Sequence, residues 1–193
     1  HDVSNSEVLH ELCPIVAYAA GEIGDPQVRH VGTIGGSVAH ADPASDMPTV
    51  LLALGAEMVV RGPDGNVRNV PAGDFFKGLF EPDLATNEVL TEIRVPKTTD
   101  RGWGYLKFHP RAHGWAPVGV AALAQNGSGP AVALTNMSDR PLRATGVEEE
   151  LAGGADPAAA AQRAAEGTSP PTDAFASAEY RQELVKVLVR RAI

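Results

Sequence analysis

The chain has 193 residues, a formal net charge of −8 and a single cysteine. This length accommodates one domain or two small ones, and an acidic chain without a basic stripe argues against nucleic acid, whose phosphates require one. The lone Cys13 excludes a disulfide framework and any cysteine-ligated zinc or iron–sulfur cluster within the chain, so a reducing cytoplasm is the expected compartment.

Neither a membrane span nor a secretory leader is expected. No apolar run approaches the roughly 18–20 residues of a spanning helix, and the start of the chain has no basic, apolar leader. Because the chain opens on HDVSNSEVL without Met, we expect a fragment or a processed product.

The first predicted elements are helical. Residues 6–20 predict helix, with Ser6 as N-cap and Gly21 as stop, and Pro14 divides this segment into two short helices or kinks it. The segment VGTIGGSVAHADPASDMP (31–48) predicts mostly loop, with a short strand from residue 37 to 40.

A short apolar helix is predicted next, in DMPTVLLALGA, capped by Ser45 or Asp46 and ended by Gly55. EMVVRGPDGNVRNVP predicts a hairpin, DFFKGLF a short helical turn, and EVLTEIRVP a strand. The polar stretch KTTDRG is the expected boundary, giving domains 1–97 and 98–193.

Beyond that boundary, WGYLKFH, PVGVAALAQ and AVALTNMS predict strands, the latter two joined by the glycine-rich connection NGSGP. GVEEELAG and PAAAAQRAAEG predict short helices, and SAEYRQELVKVLVRRAI predicts a longer one capped by Ser177. The apolar stripe of this last helix is predicted at Tyr180, Leu184, Val187, Leu188 and Val189. Antiparallel strands followed by segregated helices indicate an α+β fold.

The glycines of the 31–48 segment could bind an anion. Gly32, Gly35 and Gly36 permit turns whose successive N–H groups form an anion-binding concavity, and Thr33 and Ser37 add hydroxyl donors. The spacing matches neither the dinucleotide-binding pattern nor the P-loop, so it favours a plain turn about two to one over a phosphate site.

Two aspartates follow these glycines. Asp42 and Asp46 could hold a metal, but Pro43 breaks the helical register between them and no third ligand lies nearby. Spacing alone favours Asp46 as a helix cap; the alternative is a carboxylate that accepts hydrogen bonds from a sugar-like chain. The six histidines show no metal-ligand spacing, and no serine or cysteine has a nucleophile-elbow context, so a hydrolase or metalloenzyme is unsupported.

The segment GWGYLKFHPRAHGWAP concentrates aromatic and basic side chains. In a strand, Tyr105 and Lys107 share one face, and Leu106 and Phe108 share the other. The alternation favours one core face and one solvated face, about two to one, over a ligand lying against Lys107.

Five segments together resemble one family, in order along essentially the whole chain: QVRHVGTIGGSVAHADPASDMPTVLLALGAEM, VPAGDFFKG, EVLTEIRVP, YLKFHPR and SAEYRQELVKVLVRRA. They resemble the FAD-binding medium subunit of molybdenum hydroxylases, of the carbon monoxide dehydrogenase and xanthine dehydrogenase type. This resemblance implies the second subdomain of a vanillyl-alcohol-oxidase-type FAD-binding domain, followed by the family's smaller C-terminal α+β domain.

The resemblance also implies cofactor contacts. TIGGS matches the family's second glycine-rich FAD loop, Asp46 the carboxylate that binds the flavin's polyol or nucleotide part, and Lys107 a polar contact. Ile23 matches an apolar position beside the isoalloxazine ring, and Leu90 matches a second apolar contact. The contacts implied for this chain are Ile23, Thr33, Ile34, Gly35, Gly36, Ser37, Asp46, Leu90 and Lys107. The resemblance therefore favours ligand contact for both Asp46 and Lys107, in place of the roles that spacing alone favours. It implies no catalytic acid or base and no metal ligand in this chain.

Two departures accompany the resemblance. The family's N-terminal flavin subdomain carries another glycine-rich loop, of the form AGGQS, and these 193 residues contain no such stretch. We therefore expect weakly bound or absent FAD, and no activity, in this chain alone. In addition, Gly114 stands where relatives often carry an acidic residue.

The function implied is electron transfer. In such enzymes a molybdopterin-binding large subunit oxidises the substrate, and a small subunit with [2Fe–2S] clusters passes the electrons to FAD, which delivers them to an external acceptor. The resemblance implies a dimerised heterotrimer of carbon monoxide dehydrogenase type, in the cytoplasm or at the inner face of the membrane through the complex. A stand-alone flavin oxidase of the same fold and a cofactor-free interaction fragment remain the alternatives.

Overall fold

The computed structural model describes residues 1–109, 114–124, 127 and 129–193. Short helices open the chain: Glu7–Leu12 (α1), Pro14–Gly21 (α2), Pro26–Val31 (α3), Ile34–His40 (α4) and Asp46–Leu54 (α5). The strands are Glu57–Arg61 (β1), Val67–Pro71 (β2), Phe76–Gly78 (β3), Glu81–Pro82 (β4), Val89–Arg94 (β5), Trp103–Phe108 (β6), Val118–Leu123 (β7), Ala131–Thr135 (β8) and Leu142–Arg143 (β9). The remaining helices are Ala72–Phe75 (α6), Thr145–Ala152 (α7), Pro157–Ala160 (α8), a 3-10 turn at Ala161–Ala165, and Ala178–Ala192 (α9). No helix of the described ranges has the length and apolarity to cross a membrane.

Most predicted elements are confirmed. Pro14 starts a second helix rather than kinking a single one, and the Ser6 side chain accepts from the Leu9 N–H as the predicted N-cap. Gly55 ends α5 with a φ of 64°, a left-handed conformation that glycine adopts without strain. The predicted hairpin is formed by β1 and β2, while DFFKGLF is helical only to Phe75 and then extended.

The prediction of loop and strand in the 31–48 segment is wrong. Most of the segment before residue 41 is helical, in α3 and α4. The Asp25 carboxylate accepts from the Val28 N–H at 3.0 Å, and the Thr33 hydroxyl oxygen accepts from the Gly36 N–H at 3.0 Å. These caps, together with burial of Val38, outweigh the low helix propensity of the glycine pair.

Three antiparallel sheets organise the described residues: β2-β1-β5, β3-β4 and β6-β7-β8-β9. Helices α2 and α5 pack on one face of the four-stranded sheet, and α9 with the 3-10 turn packs on the other. This sheet therefore separates two hydrophobic cores, one around α5 and one around α9.

The prediction of a solvated face on β6 is wrong, because a hydrophobic core lies on each face of the sheet that contains this strand. Tyr105 belongs to the core around α5, whereas Leu106 and Phe108 pack against the core around α9. Both faces of the strand are covered, and Lys107 therefore lies on a packed face. Arg111 and His113, which follow this strand, and part of the NGSGP connection lie outside the described residues.

The buried stripe of α9 also differs from the prediction. Tyr180 and Val187 are exposed, Leu184 is half-buried, and the fully buried residues include Val185 and Arg181. Arg181 tolerates burial because its guanidinium donates to the Asp173 carboxylate at 2.6 Å and to the Pro117 carbonyl. An arginine in an apolar stripe is not foreseeable from periodicity, because it depends on acceptors distant in sequence.

Gly104 sets how closely α9 approaches β6, which gives a first expected outcome. A Cβ atom on Gly104 would lie 2.2 Å from the Ala192 backbone oxygen. Gly104→Ala should therefore lower the free energy of unfolding, by about 1–3 kcal/mol, measured by urea unfolding. The matched control is Gly73→Ala, where a Cβ meets nothing within 4 Å. Equal stability of the two variants would contradict close packing at Gly104.

Candidate functional site

The end of α2, the start of α5 and strand β6 meet at Asp46. The Asp46 carboxylate accepts a hydrogen bond from the Tyr105 hydroxyl and lies 3.1 Å from the Lys107 ammonium nitrogen. Lys107 also donates to the Glu22 backbone oxygen at 2.5 Å. The side chains of Lys107 and Asp46 are 7% and 10% exposed, so this is a nearly buried ion pair. We call Asp46, Tyr105 and Lys107 the carboxylate cluster.

Electrostatics in the cluster are dominated by burial. Removal from water raises the pKa of the Asp46 carboxyl, although Lys107 and the Tyr105 hydrogen bond partly oppose that rise. Burial, reinforced by the neighbouring Asp46, raises the pKa of Tyr105 well above its ordinary value. Tyr105 therefore stays protonated and acts as a hydrogen-bond donor. Each carboxylate oxygen retains acceptor capacity beyond the bond that it already receives.

The predicted cap role of Asp46 differs from its observed one. Ser45 occupies the N-cap position of α5, but its hydroxyl makes no capping hydrogen bond. Asp46 is the first residue of the helix, and its carboxylate points to β6. Asp42, the other aspartate, accepts from the Ala44 N–H at 2.8 Å in the loop before α5. The described residues contain no group of three side chains arranged as metal ligands.

A cavity of about 730 Å³ lies beside α3 and α4. Five of the residues predicted to contact a cofactor line it: Ile23, Thr33, Ile34, Gly36 and Ser37. The remaining lining includes apolar side chains such as Val28 and Met47. The cavity thus combines hydroxyl groups and backbone with an apolar wall.

A second cavity of about 160 Å³ contains the Asp46 and Lys107 end of the carboxylate cluster. It shares four lining residues with the larger cavity, namely Ile23, Val28, Ser37 and Ser45. The two spaces are therefore neighbours along one groove, which we call the main groove. Gly114 and Trp115 also line the smaller cavity.

Two predicted residues lie elsewhere. Gly35 and Leu90 line a third cavity of about 330 Å³, between α4 and strand β5. Ile34 lines both this cavity and the largest one. The fold thus brings seven of the nine predicted contacts to the main groove, and it places Gly35 and Leu90 on the other side of α4.

The sequence prediction omits several residues of the site. Tyr105 belongs to the carboxylate cluster, and its place on the same strand face as Lys107 is a signal that could identify it. Ser45 is predicted as a cap only, although it lines both cavities. Trp115 lies outside the predicted strands, so no periodicity predicts which way it faces.

The groove offers hydrogen-bonding groups that the protein does not use internally. Within the described ranges, the hydroxyls of Ser37 and Ser45 make no hydrogen bond as donors. The backbone N–H group of Ile34, in the first turn of α4, precedes the helix's own hydrogen-bond pattern. A ligand with polar and apolar parts is therefore the chemistry that these residues suit.

Comparison with known proteins gives a consistent assignment for both halves of the chain. Residues 1–98 match the family described as the FAD binding domain in molybdopterin dehydrogenase, and residues 103–193 match the CO dehydrogenase flavoprotein C-terminal domain.

Individual relatives match over the full chain. The carbon monoxide dehydrogenase medium chain of Hydrogenophaga pseudoflava is 36% identical over 202 residues, covering 100% of this chain and 70% of the relative. The glyceraldehyde dehydrogenase medium chain of Sulfolobus acidocaldarius is 38% identical over 200 residues, covering 100% and 71%. A solved structure of carbon monoxide dehydrogenase from Hydrogenophaga pseudoflava superposes with a TM-score of 0.92 at 38% identity, covering 99% of this chain and 69% of that one.

The raised pKa of Asp46 has a measurable consequence. As the pH rises from the ordinary carboxyl value of 3.8 toward the higher folded value, the unfolded state releases its proton first. The folded state then binds more protons than the unfolded one, so this group's contribution to the free energy of unfolding falls with rising pH. We expect this in urea titrations at a series of pH values across this range. The free energy of unfolding of the wild type, minus that of Asp46→Asn, should fall with rising pH and then level off.

The control for that experiment is Asp64→Asn, which removes an exposed carboxylate of the β1–β2 turn without touching the cluster. A difference between wild type and Asp46→Asn that rises with pH, or does not change, would contradict burial as the dominant influence on Asp46.

Proposed function

Since the chain belongs to the family of FAD-binding medium subunits of molybdenum hydroxylases, we propose that it binds FAD in the main groove. We further propose that it accepts electrons from the [2Fe–2S] clusters of a partner subunit and passes them to an external acceptor. The chain is accordingly an FAD-dependent oxidoreductase subunit. The observation that carries the proposal is the buried ion pair of Asp46 and Lys107, which lines the smaller cavity of the main groove.

The residues present fit a flavin dinucleotide. The unused hydroxyls of Ser37 and Ser45 can donate to phosphate or polyol oxygens, and the backbone N–H of Ile34 is a further donor at the start of α4. The free lone pairs of the Asp46 carboxylate can accept from the hydroxyls of a polyol chain. Ile23 and Val28 supply apolar contact in the same groove. When bound, FAD supplies the electron-carrying chemistry, and these residues hold and orient it.

The cluster joins the two proposed domains, 1–97 and 98–193. Asp46 comes from the first and Tyr105 and Lys107 from the second. The polar end of the groove is therefore complete only when the two proposed domains pack against each other. In this arrangement the Lys107 ammonium places a positive charge beside the ligand, where it favours negative charge on the flavin.

We propose partners by family relation. The H. pseudoflava and S. acidocaldarius relatives are medium chains of dehydrogenases, which supports a heterotrimer with a molybdopterin-binding large subunit and a [2Fe–2S] small subunit. A carbon monoxide dehydrogenase type of complex is the proposal that the 36% identity over the full chain supports. We propose that the heterotrimer dimerises and works in the cytoplasm or at the inner face of the membrane.

Flavin binding is the direct test. The native subunit, purified in its complex, should show the visible absorption bands of flavin, and Asp46→Asn should weaken FAD binding about tenfold, as expected for loss of a charged acceptor. Titration of the apoprotein with FAD, followed by flavin fluorescence, measures this affinity. Asp64→Asn is again the control. A colourless native subunit would overturn the proposal, and co-purification without an iron–sulfur subunit would favour a stand-alone oxidase.

The charge of Lys107 gives a separate expectation. Lys107→Met should lower the two-electron reduction potential of the bound flavin by about 30 mV, equivalent to about 1.4 kcal/mol. Spectroelectrochemical titration of the assembled complex measures the shift. Lys77→Met removes an exposed lysine of β3 and serves as the control. Equal potentials in Lys107→Met and wild type would show that Lys107 does not act on the flavin.

A further inference from the structure

Two loops line the smaller cavity beside the carboxylate cluster. Residues 41–45 lead from α4 into α5 and contribute Ala44 and Ser45 to its wall. Residues 114–117 precede β7 and contribute Gly114, Trp115 and Ala116. Both loops therefore contribute to the shape of the cavity.

One residue outside the cavity lining holds both loops. Asn136, directly after β8, donates its backbone N–H to the Pro43 oxygen at 2.8 Å. Its side-chain Nδ2 donates to the Ala116 oxygen at 3.1 Å. Two donors on a single residue therefore tie the middle of one loop to the end of the other.

The backbone conformation of Asn136 makes this double contact possible. Its φ is 60°, in the left-handed region, where asparagine is the most readily accepted residue after glycine. Glycine would permit the same backbone but would have no side-chain donor for Ala116.

The position of Asn136 is itself fixed. The neighbouring Thr135 hydroxyl donates to the Thr49 hydroxyl oxygen at 2.8 Å, and both residues are fully buried. This bond connects the end of β8 to the body of α5. Independently of that bond, β8 pairs with β7 as far as Thr135 and with β9 on its other side, and this ladder fixes the strand end from which Asn136 extends.

We propose that Asn136 is a positioning residue that sets the spacing of the two loops and thereby the affinity of the groove for its flavin. This inference rests on the proposed function for the identity of the ligand. Asn136 itself does not line the cavities of the main groove. It acts through the backbone oxygens of Pro43 and Ala116. These two residues belong to the loops that line the cavity beside Asp46 and Lys107.

The two substitutions that test the proposal leave the backbone conformation accessible. Asn136→Gly retains the left-handed φ and the N–H bond to Pro43 but removes the bond to Ala116. Asn136→Asp retains the size of the side chain but places a carboxylate oxygen against the Ala116 carbonyl, where it cannot donate. Both should weaken FAD binding by the native complex about tenfold, with Asn136→Asp at least as strong in effect.

Thr135→Val is the matched control, because it removes the adjacent bond to Thr49 and leaves both loop contacts in place. It should lower the urea midpoint while retaining wild-type FAD affinity. Wild-type affinity in both Asn136 variants, or an equal loss of affinity in Thr135→Val, would overturn the proposal.

A ligand-free measurement separates this inference from the proposed function. In the 193-residue chain, Trp103→Phe leaves Trp115 as the remaining tryptophan, and Trp115 lies on the loop in question. Trp115 is already 62% exposed, so the readout is the motion of its ring. Adding Asn136→Gly or Asn136→Asp should lower the fluorescence anisotropy of Trp115, because the loop loses its bond to Asn136. Unchanged anisotropy of Trp115 would refute loop positioning whether or not FAD binds. Absence of flavin from the wild-type complex would refute the proposed function alone.

Discussion

The ion pair between Asp46 and Lys107 determines how the rest of the site is arranged. It joins the start of α5 to the middle of β6 across a nearly dry interface. Removing one partner of such a pair leaves the other charged without compensation, which typically costs about 3–5 kcal/mol. Tyr105 adds a neutral donor to the same carboxylate. The cluster therefore needs both the helix and the strand in place, and it couples the stability of the chain to the geometry of the groove.

The packing around the four-stranded sheet makes this ion pair possible. Helix α5 is buried along its whole length and lies on the sheet with its first residue over β6. On the opposite face, α9 approaches so closely at Gly104 that a methyl group does not fit. The sheet is thus packed on both sides, and loops connect its strands to the helices around the site. Asn136 bridges two of those loops from the fixed end of β8.

Local sequence signals predicted those elements whose ends are encoded nearby. Pro14, Gly55 and Ser177 mark helix ends through backbone preferences that act within a few residues, and each was placed correctly. Helix α4 was missed because its glycine pair suggests a turn, whereas the Thr33 cap and the burial of Val38 decide in favour of helix. The latter effect depends on packing partners that no local pattern shows.

The sequence alone determined the α+β class, most helices and strands, and, through the resemblance carried by GTIGGSVAHADPASDMP, the family. Tertiary structure alone decided that Asp46 faces Lys107 rather than capping its helix, and that Gly35 and Leu90 lie on the far side of α4. The physical reason is the distance along the sequence over which each interaction acts. Caps, turns and periodicity act over one or two helical turns, whereas residues 61 positions apart meet only when the sheet and α5 have packed together.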